Sequence, residues 1–196
     1  GDSSLELHGI HHAFTETDYW LLDAARFCHA WRVMFQRHAC LRASFAEDGT
    51  CCIRQELEPC IEEYDLSRAG PRQASAHLVK LWAEWAHRDP PAPPYTRHFV
   101  SLLPDGRQRV HEYFCGLNLD YASFMAVKLE AEAVYRSPET LLPQLPVFSF
   151  RDYVLAERSM RVSDRGVASW KWWLGRVHQY PPPLSMPLAS QQKAGR

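Results

Sequence analysis

Residues 110–123 read VHEYFCGLNLDYAS, and this stretch decides the fold. A strand ends near Phe114 or Cys115, a short loop carries Asp120, and a helix begins at about Ser123. A strand–loop–helix junction is a common place to present a reactive group. The same junction has a plainer reading, in which Asp120 orders the loop and Ser123 caps the helix. Upstream, residues 97–103 and 107–115 pair as a hairpin around Pro104-Asp105-Gly106. Downstream, a helix over residues 122–135 turns Phe124, Val127 and Val134 to one apolar side.

Working outward, residues 5–15 read as a strand, and Asp23 caps a helix reaching His38. Ala24, Phe27, Cys28, Trp31 and Phe35 recur at helical spacing on its buried face. Residues 41–46 and 51–57 form a first hairpin across Asp48-Gly49, and 65–70 is loop. Pro71 starts a helix whose apolar face is Leu78, Leu81, Trp82 and Trp85. DPPAPP at 89–94 cannot be helical and connects elements within one domain. Residues 138–146 are extended. Ser149 caps a helix to about Arg161, and Ser163 or Asp164 caps another to His178 that carries Trp170, Trp172 and Trp173. Helices mixed with strands and two hairpins imply one α/β (α+β) lobe over residues 1–180, a mixed sheet packed with helices, followed by a proline-rich then polar linker over 181–196.

Composition narrows the function. With 196 residues, 46% of them hydrophobic, the chain can bury a core of its own. The net charge of −1 offers no electrostatic pull on nucleic acid or an anionic membrane, and no apolar run is long enough to span a bilayer. Residues 1–6 are small and acidic, without the basic-then-apolar order of a secretory leader, so the cytoplasm is the expected location. Six cysteines, at 28, 40, 51, 52, 60 and 115, form no CxxC, so reduced thiols rather than a zinc site are expected. His11-His12 is the only HH pair; within a strand its two rings point to opposite faces, which favours a structural role. Nothing places a base beside Cys51 or Cys52, and a hairpin strand accounts for both.

Four further stretches carry a resemblance. AWRVMFQRHACLRASF (30–45), LLPDGRQRVHEYF (102–114), LPQLPVFSFRDYVLAERS (142–159) and WKWWLGRVHQYPPPLSMPL (170–188) resemble, in order and spacing, the first lobe of a condensation-type domain of a nonribosomal peptide synthetase. SFRDYVLAER and PPPLSMPL are most like a heterocyclization domain, which condenses and then cyclises Cys, Ser or Thr. The heterocyclization signature is DxxxxDxxS. Here the frame runs from Cys115 to Ser123, so Asp120 and Ser123 match and the first Asp is Cys115. In the HHxxxDG frame of ordinary condensation domains, Cys115 and Gly116 replace both histidines and only Asp120 survives.

The resemblance implies a chloramphenicol-acetyltransferase-like lobe, half of the usual two-lobed domain. Asp120 and Ser123 are the implied catalytic positions, in a degenerate motif with Cys115 and Gly116 at the lost ones. A thiol near its usual pKa of about 8.5 holds no charge to orient a nucleophile. The expected function is therefore a truncated, catalytically inactive heterocyclization-like element making structural or interdomain contacts. The alternative is an enzyme half completed by a second lobe in trans, forming amides and Cys/Ser/Thr-derived heterocycles on carrier-bound substrates. The expected partners are carrier, adenylation or second condensation-lobe domains, or a second copy in a homodimer. No cofactor is expected to bind directly; phosphopantetheine would arrive on a partner carrier protein. Trp170, Trp172 and Trp173 are candidate interface residues, with core packing as their alternative.

Overall fold

The computed structural model describes residues 12–86 and 92–181. In chain order the elements are β1 (His12–Tyr19), α1 (Ala24–Arg37), a 3-10 turn (Ala39–Arg42), β2 (Ala43–Phe45), β3 (Cys51–Ile53), β4 (Cys60–Asp65), α2 (Pro71–Ala86), β5 (Thr96–Leu102), β6 (Gln108–Cys115), α3 (Tyr121–Arg136), α4 (Phe150–Val162) and α5 (Asp164–Val177). The chain divides into two compact units, Gly1–Leu142 and Pro143–Arg196.

The first unit is built on a four-stranded mixed sheet in the order β1-β6-β5-β4. β6 pairs antiparallel with both β1 and β5, while β4 runs parallel to β5. Parallel neighbours need a crossover, and α2 supplies it. The β5–β6 hairpin turns at Gly106, whose φ of 84° is open to glycine without a Cβ clash. β2 and β3 form a separate small hairpin.

Strand alternation divides the core into two faces. Trp31, Met34 and Phe35 of α1 and Phe124, Val127 and Ala131 of α3 bury against Phe114 and Leu41. On the opposite face, Leu81 and Trp85 of α2 pack with Phe99, Tyr113 and Cys115. Two side-chain caps fix where the helices on the first face begin: Asp23 accepts from the Arg26 amide at 3.0 Å, and Asp120 accepts from the Ser123 amide at 2.7 Å.

Several expectations need correction. The first strand runs on to Tyr19, because its partner β6 extends back to Gln108; the part expected at 5–11, and with it His11, lies outside the described residues. The strand expected at 41–46 opens as a 3-10 turn. β4 falls in a stretch assigned no element, because its paired glutamates break the apolar alternation. Trp82 is 47% exposed, and the buried face of α2 is Ala74, Leu81 and Trp85 instead. At α3 the roles are reversed: Asp120 is the cap and Ser123 the residue whose amide it receives. Of the 89–94 loop, only residues 92–94 are described, and the tail from 182 onward is outside the described residues.

In the second unit, α4 starts with a capping box. The Ser149 hydroxyl accepts from the Asp152 amide, and Asp152 accepts from the Ser149 amide at 2.9 Å. Ser163 caps α5. Gly166 lets the two helices join closely: a Cβ there would stand 2.1 Å from the Met160 carbonyl oxygen. Neither helix has a buried residue.

Candidate functional site

The strand–loop–helix junction is where the sequence places it, between the end of β6 and the start of α3. Cys115 is the last residue of β6 and is fully buried. Its amide donates to the Tyr95 carbonyl at 3.2 Å, and its carbonyl accepts from the Asn118 amide at 3.4 Å. Asn118 Nδ2 donates to the Cys40 carbonyl at 2.9 Å, which ties the loop to the 3-10 turn. Leu119 inserts into the core beside Phe114 and Phe124. The loop is thus held at three points, and Gly116 and Asp120 are exposed on its outer side.

The electrostatics separate the departed frame position, Cys115, from the matched one, Asp120. Burial pushes the Cys115 thiol up, against opposing hydrogen bonds from the Leu117 backbone and the Tyr113 side chain. It is a neutral thiol at pH 7. The Asp120 carboxyl is held below the usual range by hydrogen bonds from the Ser123 backbone and side chain. It is charged, exposed and engaged as a helix cap. Ser123 is exposed as well, in the first turn of α3.

Strand pairing brings in one residue that local sequence could not. His12 lies directly across from Cys115 in the β1–β6 register. Its Nε2 donates to the Ala86 carbonyl at 2.6 Å, and its ring stands 5.7 Å from the Tyr113 ring. That bond fixes His12 as a tie between β1 and the end of α2, a structural use in keeping with the strand reading.

A second constellation lies deeper on the same sheet face. Ser101 Oγ is 3.0 Å from His111 Nε2, and His111 Nδ1 is 2.9 Å from Glu16 Oε1. The atoms stand in the order of a serine-hydrolase triad. Ser101 and His111 are, however, both fully buried, and the Phe14 ring stacks on His111 at 5.7 Å. No substrate atom can approach the hydroxyl, so the relay acts as a cross-strand tie joining β1, β6 and β5.

Among the described residues, no group of three His, Cys, Asp or Glu side chains is arranged to hold a metal ion. No described helix is long and apolar enough to cross a membrane.

In the second unit, Trp170, Trp172 and Trp173 are 66%, 49% and 52% exposed. Trp170, Trp173, Leu174 and Val177 recur at helical spacing along one stripe of α5. Trp172 meets Trp173 edge-on at 4.7 Å and lies under the Arg176 guanidinium at 4.1 Å.

No family profile matches the chain. Among curated proteins it is 28% identical over 191 residues to the phenyloxazoline synthase MbtB of Mycolicibacterium paratuberculosis, an alignment covering 94% of this chain and 16% of that protein. It is 25% identical over 192 residues to bacitracin synthase 1 of Bacillus licheniformis, covering 96% of this chain and 4% of that one. The chain therefore spans a small part of the curated relatives it matches. Among solved structures, the EpoB NRPS cyclization-docking bidomain of Sorangium cellulosum superposes with a TM-score of 0.87 and 33% identity, over 96% of this chain and 38% of that one. Sequence and superposition agree along nearly the whole chain: its homologues are condensation and cyclization domains of nonribosomal peptide synthetases, and its fold is the condensation-domain fold.

Proposed function

We propose that the chain is a heterocyclization-like lobe of a nonribosomal peptide synthetase that is catalytically silent by itself and serves as a structural or interdomain-contact element in peptide natural-product biosynthesis. The likeness to a phenyloxazoline synthase and to a cyclization-docking bidomain supports the heterocyclization side of this reading. One observation carries the silence. The first acidic position of the DxxxxDxxS frame is Cys115, a buried thiol that burial keeps protonated. Orienting an amine or thiol nucleophile calls for a fixed charge or a base within hydrogen-bond reach. Cys115 supplies neither and Gly116 has no side chain, which leaves Asp120, one of whose oxygens caps α3 through the Ser123 amide, as the sole charge of the frame.

The partners that fit are carrier, adenylation or second-lobe domains of an assembly line, or a second copy of the chain, with Trp170, Trp172 and Trp173 as the contact candidates. The lobe binds no cofactor directly in this reading; phosphopantetheine belongs to a carrier partner. The test offers the purified chain a carrier-bound acyl donor and a cysteinyl-carrier acceptor. The expected result is no amide or thiazoline product above background. Product that disappears in Asp120→Ala would overturn the reading. It would favour an enzyme half completed in trans, with Asp120 positioning the nucleophile.

A further inference from the structure

On the α1–α3 side of the sheet, within the first unit, lies a cavity of about 210 Å³. Its walls are partly aromatic, with Tyr19 from β1, Phe27 and Trp31 from α1, and Tyr135 from α3. Its polar groups include an ion pair. Glu112 of β6, only 2% exposed, accepts from the Lys128 ammonium of α3 and, at 3.4 Å, from the Thr15 hydroxyl. A buried ion pair is a poor source of stability, because desolvation offsets most of the attraction. Its position on a cavity wall points instead to a group that it receives.

His98 of β5 is fully buried, 3.9 Å from the Trp31 ring and edge-on to Phe27 at 5.6 Å. Neither of its ring nitrogens has a hydrogen-bond partner among the described residues. His98 is not among the lining residues; it backs the Trp31 and Phe27 rings without reaching an occupant. One rim of the cavity is also fixed. The Tyr135 hydroxyl accepts from the Asp23 amide at 2.9 Å, and Arg26 donates to the Arg136 carbonyl at 2.8 Å while lying 5.5 Å over the Tyr135 ring. These ties join the start of α1 to the end of α3, so the space does not depend on a ligand to open it.

The wall chemistry selects the occupant. Four charged side chains line the space, and they balance in pairs, Glu112 with Lys128 and, at 3.7 Å, Glu132 with Arg136, so a charged ligand would bring an uncompensated charge. A purely apolar ligand would make no use of the pair. A hydroxyl can donate to a carboxylate and accept from an ammonium at once. Aromatic walls favour a ring in offset or edge contact, and a cavity of about 150 Å³ is enough to hold benzene. We propose that this cavity is a binding site for a neutral single-ring hydroxyaromatic molecule, its ring against Trp31 and Phe27 and its hydroxyl between Glu112 and Lys128. The inference rests on these walls alone and stands or falls separately from the synthetase reading.

The test titrates p-cresol into the full chain by calorimetry and by NMR, with toluene and benzoate as comparison probes. The expected result is a p-cresol dissociation constant below about 1 mM, at least roughly tenfold weaker binding of toluene and benzoate, and nuclear Overhauser contacts from the p-cresol methyl to Trp31 and Phe27. Ala131→Leu, which fills the cavity, should weaken p-cresol at least about tenfold with the far-UV spectrum unchanged. Lys128→Met should abolish the preference for p-cresol over toluene. The wild-type contacts decide the matter even if a variant misfolds. Absence of p-cresol binding at millimolar concentration, equal binding of toluene, or contacts confined to other residues would overturn the proposal.

Discussion

Cys115 and Cys52 present the same group in opposite settings. Cys115 is fully buried at the end of β6, while Cys52 is exposed on β3. Thiolate formation needs solvent and a stabilising charge, and Cys115 has neither. Iodoacetamide at pH 7.5 should therefore label Cys51 and Cys52 in the native chain and reach Cys115 only after denaturation, as read by peptide mass spectrometry. Labelling of native Cys115 at the rate of Cys52 would contradict the site's electrostatics. Asp120 makes a different test. If its work is capping, Asp120→Asn should leave stability nearly unchanged, since Asn caps as well as Asp, while Asp120→Ala should lower the thermal midpoint by a few degrees. A loss in Asn equal to that in Ala would mean the charge, not the cap, matters. The sequence exposed both positions, because caps and loop residues act within three or four places of themselves. The apposition of His12 and Cys115 was illegible, since register between distant strands is decided by the whole sheet.

Elements built on local signals were read well. α1, α4 and α5 begin at the caps the sequence offers, and the β5–β6 hairpin turns at its Asp-Gly. β4 is not legible locally, because Glu62-Glu63 break its apolar alternation and its place as a parallel edge strand is set by its partner β5. Packing of α3 on the sheet rests on Phe124, stacked on Phe114 at 4.2 Å and 1% exposed. Phe124→Ala should cost about 3–5 kcal/mol by denaturant unfolding; a loss under about 1 kcal/mol would mean α3 is held elsewhere. Beneath α1, burial, aided by the Lys128 charge, drives the His98 pKa down to about 3. An unfolded His titrates near 6.5, so between roughly pH 6.5 and 3 the unfolded chain binds a proton that the folded chain refuses. Stability from this group is intact above 6.5 and falls with pH below it, by about 1.4 kcal/mol per unit. His98→Phe should flatten the stability profile between pH 6 and 4 relative to wild type; unchanged slopes would refute the burial argument.

At the scale of the molecule, the second unit holds the open question of contact. Sequence periodicity alone could not separate core tryptophans from surface ones, because both recur at helical spacing. The structure leaves all three about half-exposed or more, and α4 and α5 contribute no buried residue. An apolar stripe of this kind marks an interaction surface, tryptophan is the residue most often energetically dominant in interfaces, and a net charge of −1 provides little repulsion against association. The central claim, a lobe whose work is contact rather than turnover, is tested most directly by light scattering of the purified chain from micromolar to submillimolar concentration, alone and with separately prepared carrier, adenylation and second-lobe domains. The account predicts either a two-fold dimer or a defined complex with one of those domains, lost in the double variant Trp170→Ser/Trp173→Ser. A chain that stays monomeric throughout and binds none of them would contradict it.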